Sequence, residues 1–398
     1  MSTKKKIGIG VISLGWMGRL HARSYRTVSE RFPELDAEAR LVVAADPIEQ
    51  ARRAATQDLG FERARADYRE LLADPEVEAV SICAPNYLHE EIALAAVEAG
   101  KPFWVEKPVG VSAEQARRVA HAATSAGLVT AVGFNYRHAP AIEYMRHLVR
   151  SGALGRITNV RVWFIADYNS SPLGPLTWRA SRKRAGAGVV CDLMSHGADL
   201  AQYVVGRIAS VTAITDTFIT ERPIPITTGI GHSGFEIGDE VGPVENEDYV
   251  GMLVRFDGGV VGTMESSRVS VGSRAEYVVE VYGTGGSARW NFERLNELQV
   301  CTTADAGPVH GYTRAMAGPD WGEWSRYQPA IGTSMGFDDL KSVEAAQFLR
   351  SVLTGEQRAP SAADAWCAAE VDEAVVASAA DSGWHDVARV DLPTTFDA

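Results

Sequence analysis

A strand that runs into a glycine turn and then a helix limits this chain more than any other stretch. Ile7 to Ile12 is an apolar run with two glycines, Ser13-Leu14-Gly15-Trp16-Met17-Gly18 follows, and a helical pattern extends from Arg19 through Val28. Strand, glycine turn and helix in that order are what a dinucleotide-binding loop requires. Gly15 would let the backbone approach a pyrophosphate, Gly18 would let the helix pack on the strand, and the helix N-terminus would offer N–H groups to the phosphates. Ser13 stands where the first glycine of G-x-G-x-x-G belongs, and a tight structural turn fits the same residues.

The alternation continues. Leu41 to Ala45 reads as a second strand ending in Asp46, after what looks like an insertion from Ser29 to Arg40. A carboxylate there suits the adenosine ribose hydroxyls and repels a 2′-phosphate, which favours NAD over NADP; Asp46-Pro47 as a plain turn is the other reading. Val77 to Ala84 is a buried strand, the helix from Glu90 to Ala99 follows, and Phe103-Trp104-Val105 is a short strand closed by Glu106-Lys107-Pro108. A helix from about Ser112 to Ala126 and a strand from Leu128 to Gly133 lead into Phe134-Asn135-Tyr136-Arg137. Strand and helix alternating in this way predict α/β architecture with a doubly wound parallel sheet. Ligands of such sheets bind beyond the carboxyl ends of the strands. A partly desolvated Lys107 at such an end can work on a substrate hydroxyl, although a solvated lysine before a turn proline is the plainer reading.

After His138 the character changes. Long strands are expected at Ile157–Asp167, Ile208–Ile219, Tyr249–Phe256, Val260–Ser270 and Tyr277–Tyr282, with a hairpin at Asp257-Gly258-Gly259. Few helices among several strands predict an α+β domain with a large open, mostly antiparallel sheet, one face of which stays free for substrate or subunit. Residues 221–245 and 303–335 read as functional loops too long for ordinary connections; the second holds His310, Tyr312, Arg314, Trp321 and Trp324. The expected division is a Rossmann domain over 1–138 and a substrate and oligomerisation domain over 139–358, with a helix near 360–382 packing back on the first.

Asp192 and His196 are four residues apart in a largely apolar segment. On a helix they would share a face, where the carboxylate could orient the imidazole and raise its basicity; a surface or capping pair has the same spacing. Arg179, Arg182, Lys183 and Arg184 just before them could bind an anion, a cofactor pyrophosphate, or only solvent.

Composition excludes other classes. The 398 residues suggest two domains. Lys+Arg 39 against Asp+Glu 51 gives a net charge of −12, which argues against nucleic acid or an anionic membrane as partner. The four cysteines, Cys83, Cys191, Cys301 and Cys367, have no metal-like spacing. No metal is expected. No apolar run could span a bilayer, the start of the chain does not read as a signal peptide, and a cytoplasmic protein is expected.

The motifs together resemble the Gfo/Idh/MocA oxidoreductases, the family of glucose–fructose oxidoreductase and inositol dehydrogenase. The resemblance rests on Gly15 to Gly18 with His21, Ala84 to His89, Glu106-Lys107-Pro108, Gly133 to Arg137, Asp192 through His196, and Tyr282 to Ser287. It implies bound NAD held by Ser13, Gly15, Trp16, Met17, Asp46, Ala84, Asn86, His89, Glu106, Lys107 and Asn135. It implies Lys107, Asp192 and His196 as catalytic residues; Tyr136, Arg137, Arg179 and Arg182 are expected beside them at the substrate. The activity it implies is oxidation of a secondary hydroxyl on a sugar, glycoside or cyclitol by a homodimer or homotetramer. The alternative is an NAD-dependent glycosidase that oxidises C3 transiently, eliminates the aglycone, adds water and reduces again, on a substrate that could be anionic, such as a sulfoquinovoside.

Overall fold

The computed structural model describes residues 4–227, 229, 234–303 and 310–396. The chain forms two compact units. The first comprises Met1–Asn135, Gly336–Trp366 and Leu392–Thr395; the second comprises Tyr136–Met335, Cys367–Asp391 and Phe396–Ala398.

The first unit is built on a sheet of β1 (Lys5–Ile12), β2 (Ala37–Ala45), β3 (Arg63–Arg65), β4 (Ala79–Ile82), β5 (Phe103–Val105) and β6 (Thr130–Val132). Their order is β3-β2-β1-β4-β5-β6, and every pair is parallel. The strand order reverses between β1 and β4, the switch point where such sheets bind ligands. Ile9, Val11, Val43, Val80, Ile82, Phe103 and Trp104 are fully buried, each contributing about 1.5–3 kcal/mol of transfer free energy. The connections are α1 (Trp16–Arg31), α2 (Glu49–Gln57), α3 (Tyr68–Leu72), α4 (Asn86–Glu98) and α5 (Ala113–Ser125). Ser112 caps α5 by accepting from the Gln115 N–H.

Two expectations are corrected here. The supposed insertion before Asp46 is short: α1 runs to Arg31, a single turn covers Pro33–Leu35, and Asp36, in the left-handed region at φ 45°, leads straight into β2. The division at residue 138 also fails to hold for the C-terminal part. Helix α9 (Phe337–Thr354) packs on α1 and belongs to the first unit. Helix α10 (Ala362–Asp381) begins in the first unit and continues in the second. Pattern alone marks both as apolar helices and does not say which sheet each covers.

The second unit begins with α6 (Pro140–Arg150) and β7 (Ile157–Ile165). A short α7 (Arg182–Ala185), a wide π-helical turn at Val190–Met194 and α8 (Ser195–Val205) follow. Next come β8 (Ile208–Asp216), β9 (Glu221–Pro225), β10 (Ile237–Pro243), β11 (Tyr249–Phe256), β12 (Val261–Ser267), β13 (Glu276–Gly283), β14 (Gly286–Asn291), β15 (Glu297–Thr302), β16 (Thr313–Met316) and β17 (His385–Asp386). Nine of these form one sheet in the order β16-β15-β14-β13-β7-β12-β11-β8-β17. Only β7 and β12 run parallel; the other neighbours are antiparallel. The β11–β12 turn takes positive φ at Gly258 and Gly259, as the Asp-Gly-Gly signal requires. The stretch 221–245, expected as a loop, is largely the β9–β10 hairpin, whose proline and glycine content hides it from pattern reading. Residues 228 and 230–233 of that stretch, and 304–309 of the second expected loop, lie outside the described residues. Among the described residues no helix is long and apolar enough to cross a membrane.

Candidate active site

In the first unit, the residues expected at the cofactor follow the carboxyl ends of β1, β2, β4, β5 and β6 in turn. Ser13 adopts φ 69°, the left-handed backbone that a glycine takes without penalty. The loop is pinned from beside it. The Ser13 N–H donates to the Ala45 carbonyl at 2.7 Å, and the Leu14 N–H donates to Asp46 Oδ2 at 2.7 Å. Asp46 Oδ1 accepts from the Ile48 N–H at 2.8 Å. Asp46 thus shapes the loop, and two backbone bonds hold its carboxylate in place. A Cβ on Gly18 would lie 1.9 Å from the Ser13 carbonyl oxygen, so only glycine lets α1 start this close.

These residues fit a dinucleotide. A Cβ on Gly15 would meet nothing within 4 Å, leaving open space over the loop. Helix α1 starts with no side-chain cap, so its first N–H groups remain available to an anion. Trp16 is 53% exposed and stacks on Phe337, with Met17 half-buried beside it. Asn135 is buried, and its Nδ2 has no hydrogen-bond partner among the described residues.

Other members of the expected set hold the frame. Asn86 opens α4, two residues after Ala84. His89 is buried, with Nδ1 2.6 Å from the Pro108 carbonyl and Nε2 2.6 Å from the Ala84 carbonyl. Burial lowers its pKa, and a neutral imidazole donates from only one nitrogen at a time. Its bonds join the end of β4 to the turn that follows Lys107. Glu106 Oε1 faces His21 Nε2 at 3.0 Å and accepts from Lys341 Nζ at 2.5 Å. Lys341 also donates to Glu344 at 2.9 Å. Burial alone would raise the Glu106 pKa, but Lys341 and His21 pull it well below the carboxylate range. Burial disfavours the Lys341 charge, yet Glu106 and Glu344 raise its pKa overall. His21, stacked on Trp104 at 3.5 Å, is lowered to about 4 by burial. A Cβ on Gly133 would fall 2.4 Å from Glu106 Oε2, so the carboxylate sits directly on that glycine. Lys107, half-buried, leaves β5 immediately beyond this network. Nothing in the sequence marked Lys341 as a partner: it lies 235 residues from Glu106.

In the second unit Asp192 lies in the π-helical turn and His196 in the first turn of α8. A π turn takes more residues per revolution than an α turn, so the four-residue spacing still brings the two positions near one face. Asp192 Oδ2 accepts from the Tyr168 hydroxyl at 2.6 Å, a partner that a loop tyrosine without pattern context could not reveal. His196 is 8% exposed. Its backbone carbonyl accepts from the Tyr277 hydroxyl at 2.7 Å. Tyr136 stands edge-on to its ring at 4.9 Å, and packs on Phe164, Tyr277 and Phe292 as well.

The expectation that Arg137 meets substrate is corrected. It is 2% exposed and donates from Nε to Asp199 Oδ2 at 2.9 Å and from Nη2 to Asp199 Oδ1. This two-pronged pair is buried in the core of the second unit. Arg182 is tied to Glu245 through its backbone N–H at 2.8 Å. Arg179 pairs with no carboxylate among the described residues; its guanidinium lies 4.4 Å over the Trp178 ring.

Comparison with known proteins places these features. Residues 7–134 match the oxidoreductase family with an NAD-binding Rossmann fold, and residues 142–289 match the Gfo/Idh/MocA C-terminal domain. Levoglucosan dehydrogenase of Pseudarthrobacter phenanthrenivorans is 35% identical over 97% of this chain and 99% of its own length. Myo-inositol 2-dehydrogenase of Thermotoga maritima is 26% identical over 75% of this chain and 79% of its own. The solved structure of a levoglucosan dehydrogenase in complex with NADH and L-sorbose superposes with a TM-score of 0.91 at 33% identity, covering 97% of this chain and 100% of that one. The chain belongs to the Gfo/Idh/MocA family of NAD-binding oxidoreductases.

Proposed function

We propose that this enzyme oxidises a secondary hydroxyl of a sugar or cyclitol, with His196 as general base and Lys107 as the cation that stabilises charge on the oxygen. The observation that carries the reading is that a glycine loop on the first unit, with Ser13 in the left-handed backbone of the missing glycine, accompanies Lys107, Asp192 and His196. NAD held at this loop would supply the hydride acceptor for the carbinol carbon. His196 removes the hydroxyl proton, Asp192 sets the charge beside that imidazole, and the Lys107 ammonium donates to the oxygen as it turns into a carbonyl. Tyr277 and the ring of Tyr136 fix the position of the histidine. Relatives that act on levoglucosan and inositol support a polyhydroxylated ring as substrate. Ile214, Leu253 and Val261, exposed on one face of the nine-stranded sheet, support a homodimer or homotetramer.

The test is a panel of sugars, cyclitols and aryl glycosides with NAD, following reduced cofactor and released aglycone together. Reduced cofactor rising in step with substrate loss is expected; aglycone release with no net reduction would establish the glycosidase instead. His196→Ala and Lys107→Ala should each lower kcat roughly 10²–10⁴-fold with NAD still binding by calorimetry. Wild-type rates in both would overturn the assignment.

A further inference from the structure

A cavity of about 100 Å³ opens in the second unit, bordered by Tyr168, Arg179, Arg222 and Arg268. Its charge is out of balance. Arg268 is neutralised by Asp248, with Nε donating at 2.8 Å. Arg222 is not. It is 1% exposed, and its Nη1 and Nη2 donate only to the Ser171 and Asn169 carbonyls, at 2.8 and 2.6 Å. Its Nε has no hydrogen-bond partner, and no carboxylate lies within ion-pair distance among the described residues. Burial lowers its pKa, and the charge of Asp248, already bonded to Arg268, offsets this only in part. Gly174 makes room for it, since a Cβ there would be 2.8 Å from Nη1. Arg179 is likewise without a carboxylate partner among the described residues. The Tyr168 hydroxyl on the same wall donates to Asp192, which links the cavity wall to that carboxylate by one hydrogen bond.

Buried cations are normally paired. Two guanidiniums without a carboxylate in ion-pair distance, beside a space sized for a small ionised group, suit a planar or tetrahedral oxyanion. We propose that this cavity binds the anionic substituent of an acidic sugar – a carboxylate, a phosphate ester or a sulfonate – and that the enzyme prefers charged sugars to neutral ones. This rests on the reading of the site as a sugar oxidoreductase. A neutral sugar would leave Arg222 and Arg179 uncompensated, so the charged group gains where the hydroxyl does not.

The experiment uses the full chain loaded with NADH. Calorimetry compares D-glucose with three hexoses altered only at C6: glucuronate, glucose 6-phosphate and 6-sulfoquinovose. Reduction of NAD by the same four is followed in parallel. At least one anionic sugar should bind about ten-fold more tightly than glucose, the scale of one charge-assisted bond, and which one does so identifies the oxyanion. Arg179→Gln should remove most of that preference and Arg179→Lys should restore part of it. In wild type the preference should shrink with added salt, a readout that survives if a variant does not fold. Equal binding of all four sugars, or a preference untouched by both salt and Arg179→Gln, overturns the proposal. Neutral sugars oxidised with no anion preference would remove this inference alone. Tight anion binding with no sugar oxidised would instead remove the proposed activity and leave the subsite standing.

Discussion

The two units assemble their functional residues in different ways. In the first, each residue lies just past the end of a parallel strand: the glycine loop after β1, Asp46 after β2, Asn86 after β4, Lys107 after β5 and Asn135 after β6. A parallel sheet gathers such positions at one edge by its topology, so a local signal at each strand end is enough. The second unit takes Asp192 from a π-helical turn, His196 from a helix, Tyr168 from a loop and Tyr277 from β13. No periodicity links these positions; only the mixed sheet and its loops bring them together. The electrostatics differ as well. The first unit buries a compensated network, Glu106 and Glu344 around Lys341, whereas in the second the buried Arg222 has no carboxylate within ion-pair distance among the described residues.

The largest effect expected from breaking this contrast is in the first unit. Lys341→Met leaves Glu106 and Glu344 buried without their cation, which should cost about 3–5 kcal/mol. Urea unfolding measures it; a loss under about 1 kcal/mol would mean the network does not stabilise the unit. Acid and alkaline stability should then separate the units. His21 titrates at about 4 against 6.5 in the open chain. Its contribution is complete above about pH 6.5 and drains as pH falls toward 4, by about 3 kcal/mol. Glu143, in the second unit, is pushed up to about 7 from 4.5 by burial and by Glu323. Its contribution is complete below about pH 4.5 and is lost as pH rises through 7, by about 2 kcal/mol after allowing for partial exposure. Thermal unfolding from pH 4 to 8 should therefore lose stability at both ends, with His21→Gln flattening the acid side and Glu143→Gln the alkaline side. Persistence of both slopes in the variants would show that other groups set them. The smallest effect sits at the substrate side: Tyr168→Phe removes the bond to Asp192 and should lower kcat roughly ten-fold. An unchanged pH–rate profile in that variant would place Tyr168 outside the proton-handling machinery.

The legibility of the sequence follows the same division. The alternation of strand and helix, the glycine loop, the Glu-Lys-Pro turn and the Asp192–His196 spacing all rest on neighbours within a few residues, and each can be read there. What could not be read depends on distance along the chain. Lys341 reaches Glu106 from 235 residues away. Arg222 on β9 and Tyr168 in a loop line one cavity from positions far apart in the chain. Arg137, beside the legible Asn135 and Tyr136, turned out to face Asp199, because a motif position shows what type of residue is present and not which way its fork points. The two-residue β17 carries too few residues to show alternation.

Helix α9 has a consequence for how the molecule is made. Glu106 leaves the ribosome long before Lys341: at about 5–20 residues per second, the 235 residues between them take roughly 10–50 s to synthesise. Once β6 has followed, the sheet of the first unit has all six strands but neither the helix that packs on α1 nor the ammonium its buried glutamate requires. The nascent N-terminal part cannot finish folding on its own schedule. It must wait, with an apolar flank uncovered, until the intervening strands and helices have emerged and α9 can close over α1.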